Sequence, residues 1–190
     1  GATYDISDTA EKIAAAGGQA SINSAQKLVP TTNPTFAQAV IIDAASPSAK
    51  NTTLNIVDTA ANYRLAAGIA GTAITNSDSI TVTGSLTQAE AQVLLTPEGS
   101  AVLPTVTGTA TQISSLTLGK TDSITKVEVT GNATVAEAKT IITKGSTASY
   151  ILRDTAKNLA EASDAVKSSA SEIVSTDTAS LAQASVLDAV

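Results

Sequence analysis

Hydrophobic and polar residues alternate along several short stretches of the chain. In "SITVTG" the apolar Ile80 and Val82 alternate with threonines, and "VEVTG" repeats the arrangement with Val127 and Val129. Alternation with a period of two is typical of a strand that has one covered face and one face open to solvent. We therefore predict short strands that each bury a pair of aliphatic side chains.

A different spacing follows each strand. In "TVAEAKTII" the residues Val135, Ala138 and Ile141 lie three positions apart, whereas Glu137 and Lys139 fall between them. This spacing places the apolar side chains on one side of a helix and the charged ones on the other. We expect a short helix that packs on the apolar face of its strand, and we call a strand with its following helix a coil.

Eight such coils follow one another at intervals of 23 to 26 residues, which indicates an internal repeat. The repeats can be aligned on the residue expected to close each strand, namely Asp8, Thr32, Asp58, Gly84, Gly108, Gly131, Asp154 and Asp177. Consecutive strands joined by a helix must run parallel, with right-handed crossovers. The stretches 43–52 and 68–78 are expected to be irregular return loops.

The predicted fold class is α/β, a repeat solenoid of about eight strand-turn-helix coils. Parallel strands lie about 4.8 Å apart, whereas helices pack at about 8 to 10 Å. The stack should therefore bend, with the parallel sheet on the concave face and short Ala-rich helices on the other. We expect residues 1–190 to form a single array that is a fragment of a longer protein, with neighbouring repeats of the same chain as its first partners.

The coils differ in how their helices begin. In "DTAEKIA", "DTAANY" and "DTAKNLA" we expect Asp8, Asp58 and Asp154 to cap the helix directly, because Asp is favoured at that position. In "GSLTQAEA" and "GNATVAEA" glycine ends the strand, and the cap moves to Thr87 or Thr134 with a glutamate three residues later, a capping box. "TFAQA" and "SLAQA" repeat this pattern with glutamine.

Composition narrows the range of functions. The chain has no Cys, His, Met or Trp, which removes thiol nucleophiles, imidazole bases and the usual zinc and copper ligands. The net charge of -6 disfavours nucleic acid as a partner. No apolar run approaches the roughly 18 to 20 residues that membrane insertion needs. We predict that the chain is not an enzyme and uses no cofactor.

The aspartates at strand ends also suggest a metal site, since stacked carboxylates attract Ca²⁺. Helix capping explains Asp8, Asp58, Asp154 and Asp177 without metal, and the glycine-and-aspartate nonapeptide of calcium-binding β-rolls is absent. We predict no metal site, although the pattern leaves calcium at these positions open.

The open face of the sheet is the candidate binding surface, and a glycan or a protein is the ligand expected there. Its candidate residues are Thr81, Thr83, Thr105, Thr107, Glu128, Thr130 and Arg153. Threonine rows on flat solenoids resemble those of ice-binding proteins, a minor variant of this hypothesis. An alternative draws a glycosidase carboxylate pair from Asp5, Glu128 and Glu172, but the chain has few aromatic residues to serve as sugar platforms.

Three further motifs have plain interpretations. "GIAG" and "AAGG" look like phosphate loops, but a glycine after a helix is its usual stop signal. The sequons at Asn51 and Asn132 are discounted, because we expect a bacterial protein.

The phrases "YDISDTAEKIA", "LNIVDTAANY", "SYILRDTAKNLA" and "SITVTGSLTQAEA" resemble the repeats of very large type I-secreted (RTX-associated) bacterial surface and adhesin proteins. The resemblance covers most of the chain and is best over 79–190. It implies an extracellular, cell-surface array with a structural or adhesive role, and it implies no catalytic residues. The leading hypothesis is a spacer or scaffold segment, and the alternative is a glycan- or protein-binding module.

Overall fold

The structure is a computed structural model that describes residues 4–45, 52, 54–66, 71–95, 100–119 and 121–188. These residues form nine strands and eleven helices. The strands are β1 (Asp5–Asp8), β2 (Lys27–Pro30), β3 (Asn55–Thr59), β4 (Ser79–Thr83), β5 (Ser85–Thr87), β6 (Ala101–Gly108), β7 (Ser123–Ala133), β8 (Thr147–Asp154) and β9 (Ala170–Ser175). The helices are α1 (Ala10–Ala15), α2 (Ala20–Asn23), α3 (Phe36–Ala45), α4 (Ala60–Ala66), α5 (Gly71–Thr75), α6 (Gln88–Leu94), α7 (Ala110–Ser114), α8 (Val135–Ile141), α9 (Ala156–Glu161), α10 (Asp164–Ser168) and α11 (Leu181–Leu187).

The fold is α/β with a largely parallel sheet. Seven strands are connected in the order β3-β4-β6-β7-β8-β9, with β5 paired to β6, and β1 and β2 form a separate pair. Every pair whose register is described runs parallel. The predicted parallel arrangement of strands is therefore confirmed.

The chain divides into two compact units, and the first contains residues 1–84, 94–102 and 119–122. In this unit β3 and β4 bury one face, on which Ile56, Ile80 and Val82 are at most 3% exposed. Strand β2, the helices α1, α2 and α3, and two residues outside the elements form an aliphatic cluster. Its members are Ala10, Ile13, Ile22, Ala25, Leu28, Ile42 and Leu54. The alternation in the sequence thus predicted the buried strand face correctly.

The second unit contains residues 85–93, 103–118 and 123–190. Helix α8 packs on β7 and β8 and buries Val135, Ala138 and Ile141, as the helical spacing predicted. Tyr150 of β8 is also buried, and its hydroxyl donates a hydrogen bond of 2.6 Å to the carbonyl oxygen of Val166. A few large side chains thus complete an otherwise aliphatic core.

Hydroxyl residues begin the helices that follow the strands. In each of eight helices the hydroxyl of the preceding Thr or Ser accepts a hydrogen bond from the backbone N–H three residues later. The capping residues are Thr9, Thr35, Thr59, Thr87, Thr109, Thr134, Thr155 and Ser180. The predicted caps at Thr87 and Thr134 and their capping boxes are confirmed.

The prediction that Asp8, Asp58 and Asp154 cap their own helices is wrong by one residue. The cap is the threonine that follows each aspartate, and the aspartate accepts the N–H of that threonine instead, at 2.7 to 2.8 Å. The backbone reason is that each aspartate is still in the strand. The threonine after the aspartate also has an extended backbone, as an N-cap residue does, so the helix begins after the threonine.

The prediction that glycine closes the strand is confirmed for Gly84, since β4 ends at Thr83, but it is wrong for Gly131, which lies inside β7. Both glycines adopt a positive φ, of 90° and 92°, which is a conformation that glycine tolerates and other residues rarely adopt. The strand direction resumes after them, in β5 after Gly84 and up to Ala133 in β7. Around Gly131 the register with β8 shifts between Glu128 and Asn132. Gly131 therefore lies at an irregularity inside a strand, whereas Gly84 separates β4 from β5.

The coils that begin at Asp8, Asp58 and Asp154 each carry a second short helix, which was not predicted from the sequence. These helices are α2, α5 and α10. Helix α5 lies in the stretch 68–78, which was expected to be irregular, and α3 extends to Ala45 into the other expected loop. The rest of that loop, 46–51, and the first three residues of "GIAG" lie outside the described residues. No described helix has the length and apolar character needed to cross a bilayer.

Candidate functional site

Asp58 connects two consecutive coils. One carboxylate oxygen, Oδ1, accepts hydrogen bonds from the N–H of Thr59 at 2.8 Å and from the side-chain amide of Asn62 at 2.7 Å. The other oxygen, Oδ2, accepts from the N–H of Phe36, the first residue of α3 in the preceding coil, at 2.9 Å. One side chain thus supports the start of its own helix and of the previous one.

Asp154 repeats this arrangement in the second unit. Its Oδ1 accepts from the N–H of Thr155 and the amide of Asn158, both at 2.8 Å, and its Oδ2 accepts from the N–H of Val135 in the preceding coil at 3.0 Å. Because the first N–H groups of a helix have no partner within the helix, an acceptor from the next coil satisfies one of them.

Two residues that lie two positions after a strand, Thr32 after β2 and Asp177 after β9, supply the same inter-coil bond. Asp177 accepts from the N–H of Ala156 at 2.6 Å, and the hydroxyl of Thr32 accepts from the N–H of Ala10 at 3.0 Å. In each case the donor is the first residue of the preceding helix, so the bond recurs at a fixed structural position. We call these contacts the inter-coil bonds.

Electrostatics agree with this bonding. Backbone hydrogen bonding from Thr9 is the main influence that holds the pKa of Asp8 below its usual value, with Lys12 contributing. Partial burial acts to raise the pKa of Asp154. The hydrogen bonds from the Asn158 amide and from the N–H groups of Val135 and Thr155 together outweigh burial, so the pKa lies below its ordinary value. Donors that favour the charged carboxylate therefore outweigh the cost of removing it from water.

Glu137 shows the same effect at a capping box. The N–H of Thr134 donates to its carboxylate at 3.0 Å, and this bond is the largest cause of a lowered pKa. The hydroxyl groups of Thr134 and Thr111 add further hydrogen bonds, the latter from the preceding helix at 3.0 Å. A capping box on one helix is thus linked to its neighbour.

Two grooves lie at equivalent positions beside these aspartates. The first, of about 260 Å³, is lined by Thr35, Ala37, Asp58, Asn62, Leu65 and Ala66. The second, of about 190 Å³, is lined by Val135, Ala136, Lys139, Asp154, Asn158 and Glu161. Each groove is lined by the start of one helix and by residues up to the end of the next, α3 and α4 in the first groove and α8 and α9 in the second. Because the carboxylate oxygens of Asp58 and Asp154 already accept three hydrogen bonds each, these two side chains have little remaining capacity to bind a cation or a sugar hydroxyl.

The described residues contain no group of three or more acidic, His or Cys side chains that could hold a metal ion. The aspartates of the series face donors rather than each other. The calcium alternative at Asp58, Asp154 and Asp177 is thus less favourable than the sequence alone suggested, because each of these carboxylates already accepts at least one N–H from the preceding helix. The structure supports the stabilising interpretation of the series.

On the sheet face of the first unit, the candidate residues Thr81 and Thr83 lie on β4. Thr81 is half-buried and lies in register beside Val57 and Val102. Thr83 is exposed, and its hydroxyl donates to the carbonyl oxygen of Asp58 at 3.5 Å. The neighbours of Thr81 are aliphatic, so the threonine row that ice binding needs is interrupted here.

In the second unit, Thr105 and Thr107 lie on β6 beside Ser85 and Thr87 of β5. The two "TVTG" stretches are therefore not register partners, since each Thr of the second stretch faces the segment after Gly84. The offset is already present before Gly84, since Thr81 pairs with Val102 and not with Thr105.

The remaining candidates of the second unit are spread over β7 and β8. Glu128 forms an ion pair with Lys126 on the same strand. Thr130 is exposed next to the Gly131 bulge, and Arg153 is exposed in register with Val174 of β9. Of the proposed glycosidase carboxylates, Asp5 and Glu172 are exposed on their strands. Both carboxylates are therefore open to water and do not lie in a buried acid site.

No family model matches this chain. Neither a curated protein nor a solved structure shows significant similarity to it. Interpretation of its function therefore depends on the geometry described above.

The sequence reading did not identify Asn62 and Asn158 as structural partners of the aspartates. A signal for them was present, since both stand four residues after the aspartate in "DTAAN" and "DTAKN". The third coil of this type has Lys12 at the same position, where it forms an ion pair with Asp8 at 3.4 Å. Each of these side chains favours the negative charge of the aspartate.

Proposed function

We propose that the chain is a structural repeat segment, a spacer or scaffold, of a secreted bacterial cell-surface or adhesin-like protein. In this proposal about eight coils stack as one α/β solenoid, with the sheet on one side and the helices on the other. Parallel strands and the recurring hydroxyl caps support the stacking. In such an array each coil contacts its neighbours, so stability grows with the number of coils.

The inter-coil bonds carry the proposal. The polar groups at helix amino ends are the ones that commonly bind anions or metal-bound ligands. Here the side chains beside them, Asp58, Asp154 and Asp177, are committed to backbone N–H groups of adjacent coils. This use of polar side chains favours a role in holding coils together over a role in binding a small molecule.

Cell-surface location is tested by antibodies raised against this segment. They should label intact cells that make the protein as strongly as permeabilised cells. Labelling that appears only after permeabilisation would contradict the extracellular part of the proposal, and it would leave the structural part to be tested separately.

A binding module is the second candidate, favoured by the exposure of Thr83, Thr130 and Arg153 on the strands. A ligand that binds the folded chain raises its melting temperature. We expect that no glycan of an array will both bind the chain above background and raise its melting temperature. A glycan that does both, and whose effect is lost in Arg153→Ala but kept in Lys157→Ala, would favour the binding module over the scaffold.

A further inference from the structure

The groove between α3 and α4, which we call the α3–α4 groove, and the groove between α8 and α9 share one framework. Each contains an aspartate, the asparagine four residues later and an alanine two residues after a helix cap. Their walls differ at two matched positions. Seven residues after the aspartate, Leu65 stands in the α3–α4 groove and Glu161 in the other. Lys139 of the second groove is matched in α3 by Val40. The α3–α4 groove thus has aliphatic side chains where the other groove has charges.

An aliphatic side chain projects from the rim of the α3–α4 groove. Leu65 lines this groove and is 85% exposed. Ile41, which is 45% exposed, follows Ala37 by four residues and so lies on the same side of α3. The surface therefore has an apolar projection beside an apolar hollow of about 260 Å³. Such a surface fits a second copy of itself, because a two-fold axis places each projection in the hollow of the other copy.

The lining of the α3–α4 groove carries no charge that association would leave unpaired. Among the described residues that line it, Asp58 is the charged one, and it is 8% exposed with three hydrogen bonds to its carboxylate. Two copies of a chain with a net charge of -6 repel each other, so a contact forms at least cost where accessible charge is absent. In the other groove, Lys139 and Glu161 would lose water on association.

The α3–α4 groove lies within the array of coils and not at one of its ends. Helix α3 packs against α1 on one side and against α4 on the other. Strand β3, which leads into α4, pairs with β4 of the following coil. Coils added before or after residues 1–190 would therefore leave this groove open.

We propose that a second copy of this chain occupies the α3–α4 groove in a two-fold symmetric dimer. Leu65 of each copy inserts between α3 and α4 of the other, against Ala37 and Ala66. Both copies use the same patch, so the contact is isologous and closes at two copies. The patch is small compared with the roughly 1,200 to 2,000 Å² that a stable interface buries, so association is weak. In a longer array this contact joins two arrays side by side.

This inference does not depend on secretion or adhesion, because it concerns only the surface of the folded chain. Sedimentation equilibrium from micromolar to millimolar concentrations tests it. The average mass should rise from the 18.9 kDa of one copy and level off at twice that value. Added salt should strengthen the association by screening the repulsion between copies. A mass of one copy at every concentration and at both low and high salt would overturn the proposal, and so would a mass that passes two copies without levelling off.

Two matched variants test the surface. Leu65→Glu should weaken dimerisation at least about tenfold, which corresponds to roughly 1.4 kcal/mol, because it places a carboxylate in the apolar hollow. Leu181→Glu is the control, since Leu181 is a helical leucine of similar exposure, 89%, outside the groove. Both side chains are exposed, so both variants should fold, which circular dichroism checks. Equal weakening by the two substitutions would overturn the assignment of the surface.

The second groove allows a test by gain of association. Lys139→Val combined with Glu161→Leu gives that groove the aliphatic residues of the α3–α4 groove. Each copy then has two patches, so species larger than a dimer should form. A double variant that stops at the same mass as the natural chain would overturn the role given to these wall residues.

Cross-linking tests the symmetry, because the natural chain contains no cysteine. The two-fold axis brings the two Leu65 positions close together. Leu65→Cys should therefore form disulfide-linked dimers at least about tenfold faster than Leu181→Cys at the same protein concentration. Equal rates for the two variants would overturn the symmetric contact.

Discussion

Replacement of Asp154 by alanine should destabilise the second unit more than any change to an exposed acidic residue. The substitution removes three hydrogen bonds, to Val135, Thr155 and Asn158, with lengths of 2.8 to 3.0 Å. Two of the three donors are backbone N–H groups at the starts of two different helices. The variant therefore weakens two coils at once.

The expected magnitude follows from the number and exposure of these bonds. Loss of a capping side chain costs about 0.5 to 2 kcal/mol, and a hydrogen bond to a charged group is worth about 1.5 to 3 kcal/mol. Asp154 is half-buried, so water replaces part of what is lost. We expect Asp154→Ala to lower the free energy of unfolding by about 2 to 3 kcal/mol. Asp154→Asn should lose less, because the amide keeps one acceptor oxygen.

Urea unfolding followed by far-ultraviolet circular dichroism measures this loss, and amide hydrogen exchange at Val135 reports it locally. Glu161→Ala is the control, since Glu161 is an exposed acidic residue at the end of the helix that Asp154 precedes. We expect the control to change stability by less than about 0.5 kcal/mol. If Asp154→Ala behaves like the control, and exchange at Val135 is unchanged, the inter-coil bond does not stabilise the fold.

Three further outcomes are expected. Gly131→Ala should lower the free energy of unfolding by about 1 to 2 kcal/mol, because the φ of Gly131 is positive although no atom would contact the new methyl group. Gly18→Ala is the control, since Gly18 is equally open but has no positive φ, and it should not change stability. Equal effects of the two substitutions would refute the backbone argument. The pKa values of Asp8, Asp154 and Glu137 are lowered, so their contribution to stability is complete above the ordinary carboxyl range near 4 and is lost as pH falls through the lower native values. Urea midpoints should therefore be level from about pH 7 to 5 and fall below about 4. A midpoint that rises on acidification would contradict this sign. EDTA should leave the melting temperature unchanged, whereas a marked decrease that calcium reverses would restore the metal hypothesis.

Local features of the fold could be predicted from the sequence because their partners are close along the chain. The capping boxes at Thr87 and Thr134 depend on residues three positions apart, and the structure confirms both. The buried faces of β4 and α8 depend on side-chain periodicity within single elements. Parallel pairing also followed from the sequence, since a helix between consecutive strands allows no other arrangement.

Other features depend on which residues become neighbours between coils, and these were not predicted. The bond from Val135 to Asp154 requires the register of β7 and β8, which the bulge at Gly131 changes. Asp is also favoured at a helix start in general, so capping of its own helix was a reasonable but incorrect assignment for Asp154. The sequence showed the correct residue type but not the correct partner.

Helix starts account for part of the threonine content of the chain. In the described residues eight helices take a hydroxyl cap, and seven of those caps are threonine. A hydroxyl cap contributes about 1 kcal/mol to a helix, and these helices are too short to be stable without packing and capping. On the sheet face, by contrast, Thr81 has aliphatic neighbours and forms no continuous row. Helix capping therefore accounts for seven of the 29 threonines of the chain without any ligand.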